Sequence, residues 1–461
     1  MAFVFLAGQF LVTLILIGVL SVQLSVSTEK SNPFSKYNVL IISVCSLRSD
    51  DIFSSNLEKI APNLFNFLNR STLFKNGYAT FPYTHFRYYL SELSHKAIMP
   101  NNFHFIGQGR LLKELKDWNI PPDEAPPLFF NYAEKGLASY AIQTLIKRSS
   151  FQEARPFVSL IHFKDLHRPY YTNELRPYLD KSTAAYVSEL FTGPKFEEAQ
   201  IPLYRLLFSS EWFVKNKIES RLELPISNDD LLALYRTREE QIINIHDNKR
   251  LLEKWQSSAN FSKDLRSLRT IYRAQISLFD KTLKPLLEKY ANGQNEDTII
   301  IFLGDHGEAF MEHGKLFHAT DVYDEMIAFP LAIHFPNQNE KIEIDSQVSF
   351  QKLTQWIKLY LHQKVTSLGV GNLVSTLKDD YIVSVNCAKD VYSVRYMNSW
   401  KLIHRELNDT FELYDLNFDP YEHRNVLSEE PEIARMLKIY LLENKYSKLI
   451  NTGSLLGCTS Y

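Results

Sequence analysis

An apolar, β-branched stretch at residues 298–303, Thr-Ile-Ile-Ile-Phe-Leu, runs straight into Gly304–Asp305–His306–Gly307–Glu308. Its length and composition suit a strand buried on both faces, as in a parallel sheet. Residues 37–44 have the same texture, 74–83 read as a second strand or extended turn, and 156–163 and 330–335 as further strands. Residues 57–73, with Pro62 near their start, and 265–290 carry apolar positions at helical spacing. Strands alternating with helices predict an α/β fold with a mainly parallel sheet flanked by helices. In such sheets the chemistry gathers at the carboxyl ends of the strands. Residues 172–263 are charged and helical in pattern, and read as an insertion that covers the sheet or shapes a substrate mouth. Beyond residue 349 the texture changes. Residues 391–404 and 411–415 predict strands of a small antiparallel sheet, and 431–444 a closing helix.

Three segments carry residues fit for catalysis. Asp305 and His306 sit side by side at a strand end, and a carboxylate beside a neutral imidazole suits a divalent metal. The flanking glycines allow a sharp turn and close substrate approach. His313 and His318 follow in the same loop, which favours a metal or oxyanion site over scattered surface histidines. The second segment follows the 156–163 strand and contains His162 and His167. His167 can bind an anionic ester oxygen or protonate a leaving group, and a loop-packing role fits it equally well. The third segment is Thr80 to Arg87, where Thr84 can attack an ester if a metal lowers its pKa and Arg87 can clamp an anion.

The chain has 461 residues, 45% hydrophobic and 23% charged, which excludes general disorder. A net charge of −2 gives no electrostatic footprint for nucleic acid, so no such partner is expected. Cys45, Cys387 and Cys458 are too sparse for a disulfide framework or a zinc finger. Residues 3–26 are nearly all apolar and uncharged. They predict a signal peptide or transmembrane anchor over 1–28, and a body exported from the cytoplasm. Asn69, Asn260 and Asn408 each fit the N-glycosylation pattern.

In this order the segments resemble the sulfatase branch of the alkaline phosphatase superfamily. Residues 38–48, NVLIISVCSLR, resemble a first strand that in the family ends in an Asp-containing turn. Residues 61–79 resemble its PNL helix and following strand, 157–170 its strand ending in histidine and proline, and 298–314 its DHGE loop. The tail from Trp400 to Asn425, with Glu412–Leu413–Tyr414–Asp415–Leu416, resembles the family's C-terminal subdomain. The resemblance implies an alkaline phosphatase-like catalytic domain over 36–345 and a small antiparallel α+β subdomain over 346–461. It also implies one or two divalent ions (Ca, Mn or Zn). Asp305 and His306 match metal ligands, and Cys45 stands where the first metal-binding Asp belongs. Thr84 falls at the nucleophile position, and His167 and His318 complete the catalytic set. Arg87, His162 and His313 are assigned to substrate binding.

Two departures matter. Cys45 replaces an Asp, and a thiolate makes a softer metal ligand. The residues around Thr84 lack the Pro and Arg that formylglycine conversion needs, so a formylglycine enzyme is not expected. The expectation is therefore a metal-dependent hydrolase of sulfate or phosphate esters on a glycan, lipid or small molecule. One alternative is a membrane-anchored phospho-group transferase. The other is a catalytically inactive binding protein that keeps the fold.

Overall fold

The computed structural model describes residues 37–84, 104–106, 128–133, 136, 138–149, 158–192, 198–208, 249–291, 297–361 and 370–444. The expected N-terminal span and Arg87 lie outside the described residues. Among the described residues, no helix is long and apolar enough to cross a membrane.

The strands, in chain order, are β1 (Asn38–Val44), β2 (Thr72–Tyr78), β3 (His104–Ile106), β4 (Leu128–Ala133), β5 (Val158–Phe163), β6 (Thr298–Gly304), β7 (Ala309–Phe310), β8 (Leu316–Phe317), β9 (Ala328–His334), β10 (Ile342–Ile344), β11 (Val348–Ser349), β12 (Tyr381–Asn386), β13 (Val391–Tyr396), β14 (Trp400–Arg405) and β15 (Thr410–Asp415). The main sheet is nine-stranded, in the order β10-β2-β9-β6-β1-β5-β4-β3, with β11 also on β2. It is mainly parallel, as expected. Only β9 runs against its neighbours β6 and β2. The loop from β6 to β9 holds the β7–β8 hairpin and a four-residue helix, Asp324–Ile327. It has no long helix to carry the chain back for a parallel return.

Side-chain alternation splits the core between the two faces of the sheet. Leu40, Ile42, Val44, Ile300 and Phe302 pack under the long helix Phe261–Ala291 and the helices Pro62–Leu68 and Ala138–Ser149. Val39, Ile41, Ile299, Ile301 and Leu303 pack on the other side with helix Phe350–Leu361 and with Val383, Val394 and Leu402 of the second sheet. That sheet is four-stranded, β12-β13-β14-β15, and antiparallel. Its first strand, β12, lies outside the residues expected as strands from sequence. The Tyr396–Ser399 turn between β13 and β14 holds Met397 and Asn398 at φ of 49° and 59°, left-handed at both central positions as in a type I′ turn. Helix Pro431–Asn444 closes this layer, as expected.

The single helix expected over 57–73 is two short ones, Leu57–Ile60 and Pro62–Leu68. Pro62 crowds the residue before it, and Ala61 is accordingly pushed out of the helical region, at φ −145° and ψ 68°. In the 172–263 stretch, helices Lys181–Thr192, Ile201–Leu207 and Lys249–Gln256 pack Tyr186, Leu190, Leu203 and Trp255 into the long helix's core. Cys387 is disulfide-bonded and Cys45 is a free, buried thiol. The sparse spacing of the three cysteines gives no sign of this bond in the sequence.

Candidate active site

Parallel register brings the site together. Val44 pairs with Phe163 on one side and with Gly304 on the other. The strands β1, β5 and β6 therefore end level, and Cys45 and Asp305 leave the sheet side by side. The backbone N–H of Cys45 donates to the Phe163 carbonyl (2.9 Å), and that of Asp305 to the Val44 carbonyl (3.2 Å). Gly304 and Gly307 are there for space. A Cβ on Gly307 would lie 2.2 Å from the Glu325 carbonyl oxygen, and one on Gly304 would lie 2.8 Å from that of Leu47.

At this edge Thr84 Oγ1 donates to Asp305 Oδ2 (2.5 Å) and lies 3.4 Å from His306 Nε2. Cys45 Sγ lies 3.3 Å from Thr84 Oγ1 and 3.6 Å from His306 Nε2. Nε2 of His162 is 3.9 Å from Asp305 Oδ2. The ligand atoms of Cys45, His162 and Asp305 all lie within 4.8 Å of one another. Cys45, His162, Asp305 and His306 are buried, whereas Thr84, His167 and His318 are partly exposed. The site thus has a buried floor of donor atoms and a half-open rim.

The rim is built from imidazoles. His318 packs its ring 4.5 Å from that of His306 and 5.0 Å from that of His167. Nδ1 of His318 lies 3.1 Å from Glu308 Oε1, which fixes the ring in the manner of a carboxylate–histidine pair. Burial pushes the Glu308 carboxyl up, but His318 outweighs it and holds the group below its usual range. Burial drives His306 and His167 below the ordinary imidazole range, and the His318 neighbour adds to the effect on both. It drives His162 down to about 4, against the pull of Asp305. These rings are neutral at physiological pH and can act as ligands or proton acceptors. Burial and the Asp305 charge push the Cys45 thiol up, so without a cation it stays protonated.

Several residues that shape the site carried no sequence signal as such. Ser46 adopts φ 59°, a strained conformation for a non-glycine residue. Its backbone N–H thereby points at Asp305 Oδ1 (3.3 Å). Tyr272 on the long helix donates to the Ser46 carbonyl (2.6 Å) and accepts from the Arg48 N–H (3.0 Å). Arg48 in turn donates to the Glu308 carbonyl (2.7 Å) and pairs with Glu312. Helix, turn and loop are therefore locked to one another beside the strand ends.

The nine residues assigned from sequence fall into three groups. Cys45, Thr84, His162, Asp305 and His306 converge on the floor, with His167 and His318 on the rim. His313 sits apart, bonded to Glu325 and to the Glu422 carbonyl and stacked on Tyr323. Arg87 lies outside the described residues.

The Sulfatase family model matches residues 55–357. The chain belongs to the sulfatase family. The match begins after Cys45, so the substituted position lies outside it. Human arylsulfatase K is 26% identical over 209 residues, which is 41% of this chain and 38% of that protein. The bovine arylsulfatase K is 24% identical over the same length and shares. The chain thus matches less than half the length of these relatives. Among solved structures, a phosphonate monoester hydrolase of Agrobacterium radiobacter superposes with TM-score 0.52 at 16% identity, over 89% of this chain and 96% of that one. A protein solved with its substrate D-glucosamine-2-N,6-O-disulfate gives TM-score 0.52 at 15% identity, over 92% and 100%. These likenesses establish a sulfatase-type α/β fold.

Proposed function

We propose that this sulfatase-family chain is a hydrolase of anionic esters, sulfate esters foremost, with Thr84 as the attacking group. The observation that carries the reading is the hydrogen bond from Thr84 Oγ1 to Asp305 Oδ2 (2.5 Å) beside the nitrogen of His306. Asp305 is placed to take the hydroxyl proton as the oxygen attacks sulfur. The ester oxygen leaves with a proton from His318, and a Thr84 sulfate ester remains. Water then attacks that sulfur and gives its proton back to His318, while Asp305 returns the first proton to Thr84 Oγ1 as sulfate leaves, which restores the hydroxyl.

The donor set on the floor fits a divalent ion: a carboxylate, two imidazoles and a thiol converge there. When bound, such an ion supplies charge that polarises the ester oxygens and the Thr84 hydroxyl. Sulfated glycans are the first substrates to try, because a structural neighbour was solved with a disulfated glucosamine. Phosphate and phosphonate esters come second. We assign residues 36–345 to the catalytic body and 346–461 to the C-terminal part, and place the body outside the cytoplasm. The apolar N-terminal run and the Cys387 disulfide, a bond suited to oxidising compartments, support that placement. A retained N-terminal segment would put the enzyme at a membrane.

One observation favours a second reading, a binding protein without turnover. Cys45, a neutral thiol, stands where the sulfatase resemblance expects an ionised carboxylate. Wild type and Thr84→Ala, assayed side by side on aryl sulfates, phosphomonoesters and phosphodiesters with zinc, manganese or calcium, separate the two. The hydrolase reading expects turnover in wild type and a loss of at least about 10³-fold on the substitution. Equal rates in both chains would leave only the binding protein.

A further inference from the structure

We propose that the strand-end cluster is selective for a thiophilic divalent ion, zinc foremost, bound by Cys45 Sγ, His162 Nε2, His306 Nε2 and an oxygen of Asp305, and that it discriminates against calcium. This rests on the reading above that the floor of the site takes a metal. Donor chemistry and spacing both point to zinc. Calcium takes about six to eight oxygen ligands, whereas three of the four groups here offer sulfur or nitrogen. Zinc takes this mixture in a four-coordinate shell with bonds of about 2.0–2.3 Å. In a tetrahedron with those bonds the ligand atoms stand about 3.3–3.8 Å apart. Three separations lie near that range: 3.6 Å from Cys45 Sγ to His306 Nε2, 3.5 Å from His306 Nε2 to Asp305 Oδ1, and 3.9 Å from His162 Nε2 to the other carboxylate oxygen, Oδ2; Cys45, His162 and Asp305 each offer a ligand atom within 4.8 Å of the others.

The imidazoles are also oriented as ligands. His306 Nδ1–H donates to the Gly307 carbonyl (2.8 Å), which leaves the Nε2 lone pair facing Cys45 and Asp305. His162 Nδ1 is held by the Ser43 hydroxyl at 3.0 Å, so its Nε2 faces Asp305. Outer partners of this kind fix ring orientation at metal sites. Binding converts the Cys45 thiol to a thiolate and releases its proton to solvent. Thr84 Oγ1, 3.3 Å from the sulfur, stays beside the ion instead of entering this set of four.

The test is direct binding. The full chain is stripped with a chelator and titrated with zinc and, separately, calcium by equilibrium dialysis with metal analysis. Cobalt(II) then serves as a spectroscopic stand-in for zinc. The expected result is one zinc per chain, tighter binding of zinc than of calcium, and a thiolate-to-cobalt charge-transfer band. Cys45→Ser should lose the band and weaken zinc binding. Cys45→Asp should lose the band and shift the preference toward calcium and manganese. Ser43→Ala should keep the band but cost roughly 10–100-fold in zinc affinity. Zinc binding unchanged in Cys45→Ser, tighter calcium than zinc in wild type, or a wild-type cobalt complex with no thiolate band would each overturn the proposal. The cobalt spectrum of wild type needs no variant to fold. Zinc bound through Cys45 with no ester turned over leaves the selectivity standing and removes the hydrolase reading. Turnover that needs calcium, with zinc ignoring Cys45, does the reverse.

Discussion

Two buried polar clusters lie on either side of the β6–β9 connection, and they are built on opposite principles. Around Asp305, a hydroxyl, a thiol and two imidazoles converge on one carboxylate. Around Asp324, cations and carboxylates balance directly. Lys401, fully buried, sits 2.7 Å from Asp324 and 2.6 Å from Glu422, and Arg395 bonds the other oxygen of Asp324. The second cluster ties β13 and β14 to the short helix Asp324–Ile327, and so holds the second sheet against the far end of the candidate-site loop. A histidine beside acids occurs in both. What marks a site is donor atoms aimed at a shared point; a cluster whose charges cancel pairwise is a fastening.

The sharpest way to break that distinction is one substitution in each cluster. Asp305→Asn keeps the shape and removes the charge. Turnover and metal affinity should fall by at least about 10³-fold, while denaturant unfolding of the metal-free protein shows unchanged or higher stability, since active-site polarity is commonly held at a cost to the fold. A large loss of stability with turnover retained would make Asp305 a fastening as well. Lys401→Met should behave in the opposite way. Removing one partner from a buried pair strands charge on the other and costs about 3–5 kcal/mol in unfolding experiments. Glu422, already pushed up to about 7 by burial, can take up a proton and hold the loss toward the lower end. Metal binding by the surviving folded protein should be little changed.

Gly307→Ala probes the loop that joins the two clusters. The added methyl would meet the Glu325 carbonyl at 2.2 Å, and the Gly307 N–H already donates to Met326 (2.8 Å). Overpacking of this kind costs about 1–3 kcal/mol. The shift it forces should move Asp305 and His306, so metal affinity should fall together with stability. Unchanged affinity would show that the loop repositions without disturbing the strand end.

The convergence of Cys45, Thr84, Asp305 and His306 was legible in the sequence, because Cys45 and Asp305 end apolar strands and a parallel sheet brings strand ends to one edge. A strand-end position does not distinguish neighbours within a loop. His313 and His318 looked alike by spacing, yet the β7–β8 hairpin carries the residues at its tip away from its ends. His318, next to β8, returns to the site, and His313 at the tip faces Glu325 and Glu422. Ser43, Ser46 and Tyr272 were illegible for a different reason: serines and tyrosines are common, and only register and a left-handed φ turn them toward the site. The orientation of β9 was hidden too, since an apolar run looks the same whichever way its neighbours point.

The smallest expected effect comes from His313, and it is a pH effect. Its Nδ1 lies 2.8 Å from the Glu325 carboxylate and its Nε2 lies 3.1 Å from the Glu422 carbonyl. Both partners are acceptors, so only the imidazolium, with two N–H groups, satisfies both. Burial pulls the group down, but Glu325 outweighs it and the pKa rises to about 8. A histidine held above its unfolded value of about 6.5 adds stability that is complete below that value and lost as the pH climbs through the folded one. The difference corresponds to about 2 kcal/mol. Wild type should therefore exceed His313→Gln by about that much at pH 6, and the gap should close between about pH 6.5 and 8 and be nearly gone by about pH 9. Urea unfolding of both chains across that range measures it. A gap that stayed constant with pH would mean that His313 holds the loop by its stacking on Tyr323, with rings 3.7 Å apart, and that its charge contributes nothing. A gap that widened with pH would reverse the sign, and would place His313 with the neutral histidines around Asp305.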